Sequence, residues 1–158
     1  MGSTTSLRSL ALTEYHIFHL PWSAGLAQAT SSLVTLEFIN PEGASSDILQ
    51  FICLFPNLDN LSVVGHSERG SKPSPRYGTS HSFRGALTLK HVDFAGNGGF
   101  VQSLLKVPGG LRFHKLDLKC NDRAEPLIRA CSGTFRTLFY QPRRSGVQLW
   151  RARHTASR

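Results

Sequence analysis

Cysteines, acidic residues and long apolar runs are scarce in this chain, and two of these scarcities exclude a class of protein. Three cysteines in 158 residues are too few, and odd in number, for a disulfide-stabilised mini-protein. No window approaches the roughly 18 uninterrupted apolar residues that a membrane-spanning helix needs. The small, polar first residues also do not resemble a secretory signal. We therefore expect a cytoplasmic or nuclear protein without a transmembrane segment.

The chain does contain enough hydrophobic sequence for one folded core. Hydrophobic residues make up 40% of the 158 residues, which is typical of a single domain. A chain with that apolar content is not expected to remain disordered throughout.

The shortage of acidic residues leaves a formal net charge of +8, from 18 Lys and Arg against 10 Asp and Glu. The excess lies in residues 66–85 and in the segment after residue 140, and neither has apolar periodicity. We interpret residues 1–140 as the folded domain, with an insertion loop at 65–85, and residues 141–158 as a basic, disordered tail. These segments favour, as an alternative function, a basic nucleic-acid-associated protein that binds through residues 66–85 and the Arg-rich tail. A basic tail alone gives only weak, salt-sensitive attraction to phosphates, so nucleic acid is the less favoured partner.

One apolar pattern, L-x-x-L-x-L with bulky substitutes, recurs six times at separations of 22 to 31 residues. The repeats begin at Leu7, Leu33, Leu58, Leu89, Phe113 and Phe135. The last two apolar positions of each repeat alternate with exposed ones, which predicts a short half-buried strand. Helical spacing follows several of these strands: Ser46 and Asp47 are the predicted cap of a helix over residues 48–54, and residues 100–107 and 126–130 repeat the helical pattern. Residues 20–29 are predicted as a weaker helix. No such unit buries its own apolar face, so the units are expected to stack as an α/β solenoid of about six degenerate strand–turn–helix repeats with a parallel sheet.

With this pattern the chain resembles a leucine-rich repeat protein over residues 7–140. The longer family pattern carries an Asn eight residues after the first Leu, and Asn97 and Asn121 occupy that position. The resemblance implies that both are structural Asn residues bonded to the turn backbone. The run ILQFICLFPNLDNLSV at residues 48–63 is similar to the degenerate repeats of fungal F-box-like proteins. In those proteins an F-box docks on a ubiquitin-ligase scaffold and the repeats recruit the substrate. No F-box precedes Leu7, so the resemblance implies a stand-alone or truncated repeat portion.

The residues that alternate with the buried strand positions are expected to line one concave face. Such a face presents side chains at regular spacing, which suits recognition of a protein partner. The resemblance adds ubiquitin-ligase components as possible partners. The candidate protein-binding residues are Glu37, Asn60, His91, Asp93, Lys115, Asp117 and Lys119.

Motifs for chemistry are incomplete, so we expect no enzyme, cofactor or metal. Ser67 follows a predicted strand, but its flanking glycines miss the G-x-S-x-G spacing of a hydrolase; a hydrolase using Ser67 remains an alternative. The turn 96–99 lacks the remaining residues of a phosphate-binding loop. The Cys and His residues lack the convergent spacing of a zinc site. Gly2 with Ser6 fits the loose myristoylation pattern, which leaves acylation open.

Overall fold

A computed structural model describes residues 6–13, 31–66, 83–92, 99–119 and 124–142. These residues form one sheet of six parallel strands, paired in chain order, and three helices. The strands are β1 Ser9–Thr13, β2 Thr35–Ile39, β3 Asn60–Val64, β4 Phe83–Lys90, β5 Leu111–Lys119 and β6 Thr137–Gln141. The helices are α1 Ser45–Ile52, α2 Gly99–Leu105 and α3 Ala124–Ala130. The α/β class and the parallel sheet expected from the sequence are confirmed.

Two rows of inward-facing apolar residues run across the sheet in register. One row is Leu10, Leu36, Leu61, Leu87, Leu116 and Leu138; the other is Leu12, Phe38, Val63, Leu89, Leu118 and Tyr140. In β2–β5 these side chains are buried against apolar residues of the helices, and they are more exposed in the two end strands. Parallel neighbours need a crossover connection, and the helices between β2 and β6 lie within such connections and cover the inner face. The core is therefore one layer shared by all six strands.

The fourth strand differs from the sequence prediction. The repeat pattern predicted Leu89, Val92 and Phe94 as the three apolar positions of this unit. The structure instead places Leu87 and Leu89 in the two apolar rows. β4 begins at Phe83, so the last residues of the expected 65–85 loop belong to a strand. The template missed this frame because its first position is Arg84. The buried Phe83 supplies the missing apolar group by stacking on Phe113, with ring centroids 6.2 Å apart.

The same left-handed turn follows three successive strands. Asn40, Gly65 and His91 follow β2, β3 and β4 with φ of 49°, 75° and 53°. Each backbone N–H donates to the carbonyl of the last residue of the next strand, at 2.7, 2.8 and 3.0 Å. Gly adopts positive φ freely, and Asn and His are among the residue types that tolerate it best. These residues therefore end the strands at the same level of the sheet.

Gly85 lets β4 approach β3 closely. Its φ is +86°, and a Cβ at this position would collide with the backbone carbonyl of Asp59. That carbonyl accepts the Ala86 N–H at 2.7 Å. On the other side of β4 the register passes from Gly85–Phe113 to Ala86–Lys115, so His114 is the extra residue of a β-bulge.

The helices lie close to the predicted positions, with one local difference. The sequence indicated Ser46 and Asp47 as the cap of the first helix, but α1 is preceded by Ala44, and Ser45 and Ser46 are buried within its first turn. The weaker helix predicted at residues 20–29 lies outside the described residues. Among the described helices none is long and apolar enough to cross a membrane.

Candidate binding face

The outward residues of the six strands form a continuous surface, which we call the strand face. They alternate with the two apolar rows and therefore point away from the helices. From the amino to the carboxyl ends of the strands, its three rows are Ser9, Thr35, Asn60, Ala86, Lys115 and Thr137; Ala11, Glu37, Ser62, Thr88, Asp117 and Phe139; and Thr13, Ile39, Val64, Lys90, Lys119 and Gln141.

The part of the strand face on β1–β3, the neutral half, carries mostly small or uncharged side chains. Glu37 is its one charged residue within the three rows. The Ser62 hydroxyl donates to Glu37 Oε1 at 3.2 Å, so this carboxylate has a partner on the neighbouring strand. The neutral half thus contains no uncompensated charge cluster among its described residues.

The part on β4 and β5, the basic half, is strongly cationic. Arg84 is the register partner of Arg112, and Lys90 is the register partner of Lys119. Both arginines are exposed, and they continue the outward side beyond the three rows. Lys115 adds a fifth cation, against a single acidic residue on the two strands. The excess of cations gives this surface a positive potential.

Asp117 lies in the middle row of the basic half. Its Oδ2 is 3.6 Å from the Lys119 Nζ. Its Oδ1 is buried and has no hydrogen-bond partner among the described residues, although buried acceptors usually have one. Beside it, the Phe139 side chain is 54% exposed, with the Lys115 Nζ 6.0 Å from its ring centroid. A cation, an unsatisfied acceptor and an exposed aromatic ring therefore occur together.

Several of the predicted binding residues share this surface. Residues Glu37, Asn60, Lys115, Asp117 and Lys119 lie in the three rows. His91 instead follows the end of β4 and forms the left-handed turn, because the predicted frame of the fourth strand was wrong. The predictions for Asp93, Asn97 and Asn121 lie outside the described residues.

Sequence reasoning missed the outward residues of β4, including Lys90, and both arginines. A usable signal was present, because Phe83, Gly85, Leu87 and Leu89 alternate with polar or small residues. The spacing also pointed to this frame: Leu87 follows Leu61 by nearly the same interval as Leu61 follows Leu36.

The position eight residues after Leu58, where the resemblance would place an Asn, is occupied by the fully buried His66. Its Nδ1 lies 3.2 Å from the Pro41 carbonyl oxygen, and its Nε2 lies 3.1 Å from Ser45 Oγ. The ring also packs edge-on against Phe100, with centroids 5.8 Å apart. His66 therefore connects three parts of the chain: the turn after β2, α1 and α2.

No protein-family model, curated protein or solved structure matches this chain. Its function therefore has to be inferred from the surfaces and side chains described above.

Four reactive side chains of the described residues are buried: Ser45, His66, Cys53 and Cys131. Ser45 and His66 form a hydrogen-bonded pair, but both are fully buried, so a substrate does not reach them. Burial raises the pKa of the Cys53 and Cys131 thiols, which keeps them protonated and weakly nucleophilic; the Phe113 backbone opposes the pKa shift of Cys131. The described residues contain no cluster of three or more His, Cys, Asp or Glu able to hold a metal. Ser67 lies outside the described residues.

Proposed function

We propose that this chain is a leucine-rich-repeat solenoid whose strand face recognises protein partners without catalysing a reaction. The observation that carries the proposal is the order of the sheet, in which six parallel strands pair strictly in chain order. The three helices also contact one another in chain order. Units that contact only their neighbours are the defining feature of a solenoid, and solenoids use their extended surfaces for binding.

The environment of His66 gives independent support for the repeat interpretation. The leucine-rich repeat pattern places a polar side chain at this position to satisfy buried backbone groups of the turn. His66 does this with the Pro41 carbonyl. A different residue type thus serves the purpose that the family pattern assigns to Asn.

Within this class, we propose that the chain is the substrate-binding repeat portion of an F-box-like ubiquitin-ligase adaptor, in the cytoplasm or nucleus. The support is the similarity of residues 48–63 to the repeats of fungal F-box-like proteins. Ubiquitin-ligase components are then expected partners in addition to the substrate protein.

A second candidate function is nucleic-acid binding through residues 66–85 and the tail 141–158. One observation favours it: Arg84, at the end of the first of these segments, faces Arg112 across the β4–β5 ladder. Cationic pairs on a sheet attract phosphates as well as carboxylates. The order of the sheet and the mixed middle row of the strand face favour the protein-recognition proposal.

The test is affinity capture of the tagged full chain from its own cell lysate, followed by low-salt and high-salt washes and mass spectrometry. We compare Thr88→Trp, which adds bulk to the middle row, with the matched control Gln102→Trp on the exposed side of α2. We expect specific proteins to survive high salt with the parent chain and the control, and to be lost with Thr88→Trp. Ubiquitin-ligase components among them would support the adaptor role.

Two results would contradict the proposal. Captured material that is rich in RNA and leaves entirely at high salt would favour the nucleic-acid alternative. Partners retained equally by Thr88→Trp and Gln102→Trp would exclude the strand face as the recognition surface.

A further inference from the structure

The β4–β5 ladder carries two like-charge pairs that the fold does not require. Arg84 faces Arg112 near one end of the ladder, and Lys90 faces Lys119 at the other. Register partners on neighbouring strands are about 5 Å apart, and like charges placed directly opposite each other destabilise a sheet. At about 3.3 Å per residue the two pairs are separated by roughly 20 Å. Two cationic sites therefore lie at a defined spacing on one side of the sheet.

The described part of the chain neutralises at most one of these four cations. Asp117 is the one acidic residue on β4 and β5, and it contacts Lys119 at 3.6 Å. Within the described ranges no carboxylate forms an ion pair with Arg84, Arg112 or Lys90. The repulsion within each pair would be relieved by an external anion, and arginine binds a carboxylate through two parallel hydrogen bonds.

The surface between the two cationic pairs favours an uncharged part of a ligand rather than an anion. The carboxylate of Asp117, whose side chain is 21% exposed, lies there and repels a further negative charge. The exposed ring of Phe139, the register partner of Asp117, adds an apolar contact. The complementary ligand thus carries negative charge at both ends and an uncharged middle with apolar surface.

We propose that the basic half of the strand face binds an extended acidic peptide segment of a partner protein. One carboxylate of the peptide contacts Arg84 and Arg112, a second about six residues along contacts Lys90 and Lys119, and an uncharged middle lies over Asp117 and Phe139. Six extended residues span about 20 Å, which matches the separation of the pairs. This inference rests on the proposed function, in which the strand face binds protein.

The negative charge of Asp117 in the middle row distinguishes a peptide ligand from a nucleic acid. Phosphates follow one another at regular short intervals along a nucleic-acid strand, so a strand laid over both pairs would place negative charge against Asp117. A peptide can carry its carboxylates only at the two ends. The geometry therefore favours the acidic peptide.

The test is fluorescence anisotropy with the full chain and a labelled ten-residue peptide at low salt. The peptide is rich in Ser and Thr and carries two glutamates six residues apart; its twin carries glutamines instead. We expect the acidic peptide to bind at least tenfold more tightly than its twin. Arg112→Glu should weaken binding at least tenfold, whereas the matched control Lys106→Glu, exposed just after α2, should change it less than twofold.

A charge swap separates a specific contact from a general loss of positive charge. A peptide with lysine at the end that contacts Arg112 should bind Arg112→Glu more tightly than it binds the parent chain. Circular dichroism and the thermal midpoint check that each variant is folded. Lys119→Gln removes one charge from the other pair without adding a negative one. It should weaken binding of the acidic peptide by at least threefold.

Three results would overturn the inference: equal losses for Arg112→Glu and Lys106→Glu, equal affinity for the glutamine twin, or a labelled ten-nucleotide dT strand that binds more tightly and displaces the peptide. Failure here is distinguishable from failure of the proposed function. If Arg112→Glu keeps the lysate partners that Thr88→Trp loses, the strand face is the recognition surface but the acidic specificity is wrong. If Thr88→Trp also keeps them, the proposed function itself fails.

Discussion

The neutral and basic halves of the strand face share one backbone plan but differ in chemistry. Both carry an acidic residue in the middle row, Glu37 on β2 and Asp117 on β5. Glu37 accepts a hydrogen bond from Ser62 at 3.2 Å, whereas one oxygen of Asp117 is buried without a partner in the described part of the chain. The carboxylate of the middle row is thus hydrogen-bonded to the neighbouring strand in one half and lacks a hydrogen bond to Oδ1 in the other. The difference shows that one backbone plan presents two chemically distinct surfaces.

The largest expected effect comes from substitutions in the buried apolar rows. Both halves share these rows, so the loss of stability should be similar in each half. Leu61 on β3 and Leu87 on β4 are both buried in the same apolar row. We expect Leu61→Ala and Leu87→Ala each to lower the free energy of unfolding by about 3–5 kcal/mol, because each leaves a cavity. Urea denaturation followed by circular dichroism measures the loss. Leu138→Ala, at a partly buried position on β6, serves as the control, with an expected loss of about half that size; a β4 variant that cost no more than this control would contradict the shared core.

The close packing of β3 against β4, where the two halves meet, should depend on Gly85. Gly85→Ala adds a Cβ at positive φ that collides with the Asp59 carbonyl, and we expect a loss of about 2–4 kcal/mol from strain and overpacking. Gly110→Ala, with positive φ but open space, should cost about 1 kcal/mol. Gly133→Ala has open space and no positive φ and should be close to neutral. Denaturation midpoints rank the three variants, and a Gly85→Ala variant as stable as Gly133→Ala would show that β3 and β4 do not approach as described.

The turn after β3 also joins the two halves, through His66. His66→Ala removes the contacts with Pro41 and Ser45 and the packing on Phe100, and we expect a loss of about 2–3 kcal/mol. His66→Asn should recover part of this loss, since a shorter amide can still donate to a turn carbonyl. Thermal unfolding compares the two variants. An Asn variant less stable than the Ala variant would argue against the repeat-turn interpretation.

The smallest effect should come from the like-charge pairs. Lys90→Thr places a neutral side chain opposite Lys119, as on β1–β3, and we expect the free energy of unfolding to rise by roughly 0.2–0.5 kcal/mol. The gain should shrink at high salt, because salt screens the repulsion between exposed charges. Thermal midpoints at 20 mM and 500 mM salt, with Lys106→Thr as the control, measure this difference. A loss of stability at low salt would mean that the two lysines do not repel each other.

More of the fold than of the strand face could be predicted from the amino-acid sequence. The apolar pattern placed β1, β2, β3, β5 and β6 correctly, because residues at the second and third positions of each repeat must point into one core. It failed at β4, where Arg84 takes the first position and Phe83 fills the core instead. Burial alternates without a break from Phe83 to Lys90, so Phe83 and not Arg84 shares the inward side of Leu87 and Leu89, whereas the repeat template expects the first apolar position three residues before Leu87.

The charged part of the strand face was predicted only in part, since its main features are pairs of residues rather than single residues. Lys115, Asp117 and Lys119 were identified from alternation within one strand. Arg84 was assigned to a loop, and its proximity to Arg112 depends on how β4 pairs with β5.

The recurrence of six strands and the apolar side of most of them follow from the amino-acid pattern, because alternation is a local property of each segment. The frame of β4, the burial of His66 between neighbouring turns and the two opposed cation pairs follow from the folded chain. These features arise from contacts between residues far apart in the chain, and register, close approach and burial across the sheet select them together.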